Sequence, residues 1–173
     1  MNKRQKGFTL IELLIVVAII LIIAAIAIPN LLRSRMAANE ASAVGSVRTM
    51  NTAEVTYSST YGNGFASTLI ELGSVTPPPA TATCDGAQLI DSVLSAASTA
   101  ATAKSGYYFT LAGVTPLTNA GPGCANPGDQ TYTIKADPAI AGTTGQRHFF
   151  TDQSGVIRFD PAVAATVAST PLQ

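Results

Sequence analysis

The hydrophobic pattern sets an apolar amino-terminal segment apart from the rest of the chain. An apolar run extends from Phe8 to Ile28 and ends at Pro29. As a helix, its 21 residues span about 31 Å, enough to cross the hydrocarbon core of a bilayer. The basic residues of the leader that precedes it, residues 1–7, favour a cytoplasmic position for this end. The pattern therefore predicts one membrane-spanning helix with the rest of the chain facing outward.

Residues 30–60 predict a continuation of this helix, because they contain no Pro and only one Gly, Gly45. Apolar side chains recur close to the helical period, at Leu32, Met36, Ala43, Val47, Met50, Tyr57 and Tyr61. Polar side chains fill other faces, namely those of Arg33, Arg35, Asn39, Glu40, Arg48 and Asn51. Pro29 lacks a backbone N–H and is predicted to kink the helix, which ends at Tyr61-Gly-Asn-Gly. The apolar stripe of the outer half needs a partner.

Short elements are predicted in the remainder, after a loop that reaches Pro79. Asp85 is expected to cap a short helix over 87–97, and residues 161–173 to fray or lie along a sheet edge. Strands are predicted at Gly106–Ala112, Gln130–Ala136, Gln146–Thr151 and Val156–Phe159. A helix followed by consecutive strands is typical of the α+β class. We therefore expect a long helix whose outer half packs on an antiparallel sheet of about four strands.

The composition argues against several classes of function. Ten Lys and Arg balance ten Asp and Glu, so the basic excess of a nucleic-acid-binding protein is missing. The sequence has no Gly-rich phosphate loop, no Gly-x-Ser-x-Gly and no dense run of oxygen ligands for calcium. The lone His148 is expected to be a packing or surface residue, and the acids at 129, 137, 152 and 160 to cap turns. We expect no enzyme, no cofactor and no metal site.

Two cysteines, Cys84 and Cys124, lie in the part of the chain that is predicted to face an oxidising space. They do not form a Cys-x-x-Cys motif and cannot make a zinc site alone. A disulfide between them is expected, and two free buried thiols are the alternative.

Glu12 is the one charged residue in the apolar run. A charge at membrane depth is energetically costly, and such a residue is usually paired and functional. The run has no Lys or Arg to pair with it. An ordinary secretory signal or a plain anchor leaves Glu12 unexplained. Cleavage after Gly7 would give Phe8 an α-amino group four residues before Glu12, on the same helix face. That amine, from the same chain or a neighbour, is the expected partner.

The string KGFTLIELLIVVAIILIIAAIAIP resembles the amino terminus of type IV prepilins. The resemblance implies a leader, residues 1–7, that a prepilin peptidase removes after Gly7, with methylation of Phe8. It also implies that Glu12 acts in assembly and register, and that Pro29 is the family's helix-breaking proline. In this family the helix often melts, when it packs in a filament, between a Gly that many relatives carry and the proline. This chain has Leu21 in place of that Gly, so the resemblance does not fix where such a melted segment would begin.

The resemblance implies four regions: the leader 1–7, a membrane and filament-core helix 8–28, its amphipathic half 29–60, and a head 61–173. It implies a structural subunit of a type IV pilus, used in adhesion, motility or related surface functions. The partners implied are further copies of the chain in a helical homopolymer, the prepilin peptidase, and the assembly platform with its ATPase. The precursor would lie in the inner membrane and the product at the cell surface. A minor pilin or a type II secretion pseudopilin is the alternative.

Overall fold

A computed structural model describes residues 8–73 and 81–172. The chain divides into two compact units, Met1–Arg35 and Met36–Gln173. The helices are α1 (Leu10–Tyr61), α2 (Leu69–Leu72), α3 (Ser92–Ala96) and a 3₁₀ turn at Ala100–Thr102. The strands are β1 (Tyr107–Gly113), β2 (Tyr132–Pro138), β3 (His148–Asp152), β4 (Arg158–Asp160) and β5 (Thr170–Pro171).

The sheet is an antiparallel meander in the order β1-β2-β3-β4-β5, so every strand pairs with its neighbours in the sequence. A two-residue turn leads into β1, with positive φ at Ser105 (50°) and Gly106 (73°). Alternate residues of β1 and β2 point inward, including Phe109, which pairs with Ala136 in the register. The sheet therefore has one apolar face for the outer half of α1.

The outer half of α1 supplies the other side of the core. Ala43, Val47, Met50 and Tyr57 are buried, which confirms these four positions of the predicted apolar stripe, whereas Leu32 is 49% exposed. The hydroxyl of Tyr132 on β2 donates to Asn51 Oδ1 at 3.2 Å. The α+β fold, with a long amino-terminal helix and an antiparallel sheet, is confirmed.

The prediction of a short helix over 87–97 is confirmed only for Ser92–Ala96, and the predicted cap, Asp85, is wrong. The helix is α3, and its cap is Asp91, whose side chain accepts a hydrogen bond from the Leu94 amide at 2.9 Å. Asp85 instead lies in a turn closed by two hydrogen bonds between Thr83 and Gly86. Residues 87–90 are not helical because their amides donate to the carbonyls of Glu71, Leu72 and Gly73, at the end of α2.

The start of α1 and the segment after it differ from the prediction, whereas the end of α1 agrees with it. Helix α1 begins at Leu10 and ends at Tyr61. The segment predicted as a loop contains α2, and its prolines lie outside the described residues. A fifth strand, β5, adds to the four predicted ones, and it places the carboxyl-terminal residues along the edge of the sheet next to β4.

Candidate functional site

The amino-terminal half of α1 is an apolar surface without a partner in the single chain. From Phe8 to Arg35 every side chain except that of Ala24 is exposed. Within the described residues, α1 is the one helix that is long and apolar enough to span a membrane, with a mean hydropathy of 3.3 over its most apolar window. None of that window is buried. Such a surface needs lipid or other apolar helices around it.

Glu12 forms a capping box with Thr9 at the first turn of α1. Both the backbone N–H and the hydroxyl of Thr9 donate to Glu12 Oε2, at 2.9 and 2.6 Å. In return, the Glu12 amide donates to Thr9 Oγ1 at 3.4 Å. This reciprocal arrangement satisfies amides that a helix start leaves unpaired. The carboxylate therefore has a local structural role besides the predicted pairing with an amine, and its Oε1 is not used in the box.

The residues of the predicted cleavage site lie at the edge of what the structure describes. Gly7 and the leader are outside the described residues. Phe8 is 92% exposed. Cleavage after Gly7 and methylation of Phe8 stay predictions.

Pro29 lies inside α1, which runs through it without interruption. Since Pro has no N–H, the carbonyl of Ala25 loses its helical donor at this point. The stretch from Leu21 to Pro29 is helical in the single chain. The kink at Pro29 stays a prediction.

The structure joins Cys84 and Cys124 by a disulfide, with their Cα atoms 5.5 Å apart. Cys84 is buried, and its carbonyl accepts a hydrogen bond of 3.0 Å from the hydroxyl of Tyr57 on α1. Cys124 lies in the segment between β1 and β2. The bond thus fastens two loop regions to each other beside the outer half of the helix.

Of the four acids predicted to cap turns, Asp152 and Asp160 do so, whereas Asp137 contacts a residue on the neighbouring strand and the Asp129 carboxylate accepts a hydrogen bond from the Ser67 hydroxyl at 2.6 Å. His148 Nδ1 lies 2.5 Å from Asp137 Oδ1 on the neighbouring strand. Asp152 Oδ1 accepts from the Ser154 amide in the turn after β3. Asp160 accepts two amides after β4, from residues 162 and 163, and these hold its pKa below the usual value. Among the described residues no group of three His, Cys, Asp or Glu side chains is placed to hold a metal ion.

Two buried carboxylates of α1 were missed by the sequence analysis. Glu40, assigned to a polar face, is 8% exposed and binds Arg147 Nε at 2.7 Å. Its Oε1 also accepts the amides of Gln146 and Arg147, at 2.9 and 3.2 Å. Glu54 is fully buried. The available signal was spacing, since Glu54 lies four residues after Met50 on the apolar stripe.

Comparison with known proteins agrees with this geometry. Residues 2–28 match the model of the prokaryotic N-terminal methylation motif. The chain is 66% identical over 38 residues to the "Type IV wide pilus major component PilA4" of Thermus thermophilus, which is 22% of this chain and 29% of that protein. It is 47% identical over 56 residues to the "Type IV major pilin protein PilA" of Myxococcus xanthus, 32% of this chain and 26% of that protein. No solved structure matches significantly.

The matched parts cover less than a third of either relative's length. The chain has an amino terminus of the prokaryotic N-terminal methylation type. With the long helix and the antiparallel sheet, these similarities support a type IV pilin.

Proposed function

We propose that the chain is a structural subunit of a type IV pilus. It would be made as a single-pass inner-membrane precursor, cleaved after Gly7, methylated at Phe8 and polymerised through the apolar half of α1. The observation that carries the proposal is the exposure of that half-helix, in which every side chain but that of Ala24 is exposed. Apolar area that leaves lipid has to be covered again, and burying each Leu or Ile stabilises by about 1.5–3 kcal/mol. Packing of the same helix from other copies would provide that cover.

The similar proteins support the role of a pilus subunit. Both are named as major components of type IV pili. A peptidase for the leader and an assembly machinery with its ATPase are the further partners that this role requires. Adhesion and motility are the surface functions that such a filament would serve. A minor pilin or a secretion pseudopilin would carry the same anchor, but would be scarce in sheared filaments rather than their main constituent.

Cleavage has a direct test. A bulky side chain in place of Gly7 should not fit the peptidase, so Gly7→Val should accumulate as the uncut precursor in the membrane. Mass analysis of the parent should show a chain that begins at methylated Phe8. Normal amounts of mature Gly7→Val protein would contradict the proposed cleavage site.

The proposed register role of Glu12 is that its carboxylate pairs with the amino group of Phe8 from a neighbouring copy. A subunit out of register would leave this carboxylate unpaired in a dry core, at a cost of several kcal/mol. Glu12→Ala should therefore be exported, cleaved and folded normally, yet be depleted in sheared filaments relative to the membrane pool. Glu12→Gln should fall between Ala and the parent, because an amide accepts a hydrogen bond but does not neutralise an amine.

Two further variants separate register from helix capping. Thr9→Val removes the hydroxyl of the capping box and keeps the carboxylate. Leu13→Ala removes apolar surface next to Glu12 and keeps both the Thr9 hydroxyl and the Glu12 carboxylate, so it controls for the loss of apolar packing. If Thr9→Val loses assembly as severely as Glu12→Ala, capping explains the defect and the register role has to be abandoned. Failure of Glu12→Ala to be cleaved would instead move its role to recognition by the peptidase.

A further inference from the structure

The outer half of α1 buries one carboxyl group without a cationic partner. Glu54 has no exposed surface, and its Oε2 accepts the amide of Ala66 at 2.9 Å. Its Oε1 is, within the described part of the chain, the one buried side-chain oxygen or nitrogen that lacks a hydrogen-bond partner. The ion pairs found there join Lys104 with Asp91, Arg147 with Glu40 and His148 with Asp137, so none reaches Glu54.

The groups that face Glu54 are acids and phenols. Glu71 of α2 and Asp129, which precedes β2, act on it electrostatically. Tyr57 on the next turn of α1 and Tyr132 on β2 lie in its field. A further negative charge at Glu54, next to these two acids and away from water, would be costly. Burial raises the pKa of Glu54 to about 8; the Ala66 amide opposes this rise, and Glu71 and Asp129 add to it.

Glu54 accepts a hydrogen bond from the middle of the segment that connects the end of α1 to α2. Three consecutive amides of this segment, those of residues 65, 66 and 67, donate to three acidic residues. Phe65 donates to the Asp129 carbonyl at 2.7 Å, Ala66 to Glu54, and Ser67 to Glu71 Oε2 at 2.7 Å. Of these three acceptors only Glu54 is a fully buried side chain. Its charge state therefore changes the strength of this attachment, to which hydrogen bonds with Asp129 and Glu71 also contribute.

We propose that Glu54 is a proton-operated latch: in its neutral form it holds residues 62–73 against α1, and loss of its proton releases them. The latch acts within the head and does not depend on the proposed pilus function. In the closed head the carboxyl is neutral and dry, whereas in the open state it is hydrated and ionises at its ordinary value of 4.5. Opening thus releases one proton, which makes the latch weaker as the pH rises.

The sign of the effect follows from linkage. A group whose pKa is raised in the closed state gives its full contribution below the pKa of the open state and loses it as the pH rises through the closed-state value. The contribution of Glu54 is therefore complete below pH 4.5 and gone above about pH 8. Between these limits the release of one proton makes the opening constant rise about tenfold per pH unit.

Hydrogen exchange of the full chain in detergent micelles tests the latch. Protection factors, corrected for intrinsic exchange, are measured for peptides covering 62–73 at several pH values from 5 to 9.5. In the parent, protection should fall with pH and level off near pH 8. Glu54→Gln should give a flat profile, because an amide has no proton to lose in this range. Asp160→Asn, on β4 and two strands away from Tyr132 in the sheet, should reproduce the parent.

A second variant keeps the test decisive if Glu54→Gln folds poorly. Glu71→Gln keeps an oxygen for the Ser67 amide but removes a charge that favours neutral Glu54. Its profile should level off at a lower pH than that of the parent. A parent profile that is flat, or one that Glu71→Gln leaves in place, overturns the proposal.

Discussion

Removal of the disulfide tests how the head is stabilised. The change is Cys84→Ala together with Cys124→Ala, which deletes the cross-link without leaving a thiol. The two residues are 40 positions apart in the sequence. In the chain-entropy description, a loop of this length gives about 4 kcal/mol, because the cross-link restricts the unfolded chain. At about 3 °C per kcal/mol for a head of this size, the melting temperature should fall by roughly 12 °C.

The outer half of α1 should survive this change. Its buried side chains, such as Val47 and Met50, pack in the same core as Ile134 and Phe149, on strands outside the segment 84–124 that the disulfide closes. The far-ultraviolet helical signal at 25 °C should therefore stay that of the parent. The cooperative transition, followed by tyrosine circular dichroism of the full chain in detergent, should move down in temperature.

The parent protein under reducing conditions is the matched control, since it loses the bond and keeps both sulfur atoms. Agreement between the reduced parent and the double variant assigns the loss to the cross-link rather than to side-chain volume. A shift of less than about 3 °C would refute the loop-closure reasoning. If the double variant shows no cooperative unfolding transition when it is heated from 25 °C, the claim that the helix and the sheet stay packed without the disulfide is refuted.

Three further changes test individual contacts in the head, each by thermal unfolding. Although burial opposes it, hydrogen bonds from Gln146 and Arg147 hold the pKa of Glu40 below its ordinary 4.5, so the stability it contributes is present above that pH and lost as the pH falls through the lower value. Glu40→Gln should flatten this acid limb. Asp91→Ala should cost about 1 kcal/mol by removing the cap of α3, whereas Asp91→Asn should keep the cap. Ser105→Asn should stay within about 0.5 kcal/mol of the parent, because the better tolerance of Asn for positive φ offsets the loss of the hydrogen bond that Ser42 donates to Ser105 Oγ, and a larger loss would contradict this.

The long amino-terminal helix was predictable because its signals are local. The apolar run, the helical spacing of Val47, Met50 and Tyr57, and the Gly-Asn-Gly stop all lie within a few residues of what they determine. The strands were predictable to within about two residues for the same reason, since alternation along a strand reflects the face it buries.

The contacts that were missed join residues far apart in the sequence. Asp85 and Asp91 are equally good caps by local pattern, and the choice between them was made by α2, whose carbonyls take the amides of residues 87–90. The partner of Glu40 lies 107 residues away, at Arg147. The electrostatic environment of Glu54 includes Asp129, which is distant in the sequence. No local pattern of charge or hydropathy predicts that two such residues lie close together.

The strand order has a consequence for how the chain reaches this state. Because every strand pairs with its sequence neighbour, the sheet can form by short loop closures, which cost little entropy and are fast. The attachment of Asn39 and Glu40 to residues 144–147 closes loops of more than 100 residues. A chain truncated after residue 145 would keep β1 and β2, which pair with each other. It would lack residues 146 and 147, which donate hydrogen bonds to the Glu40 carboxylate. In such a truncated chain, the part of α1 around Glu40 should stay undocked from the sheet and be accessible to proteases.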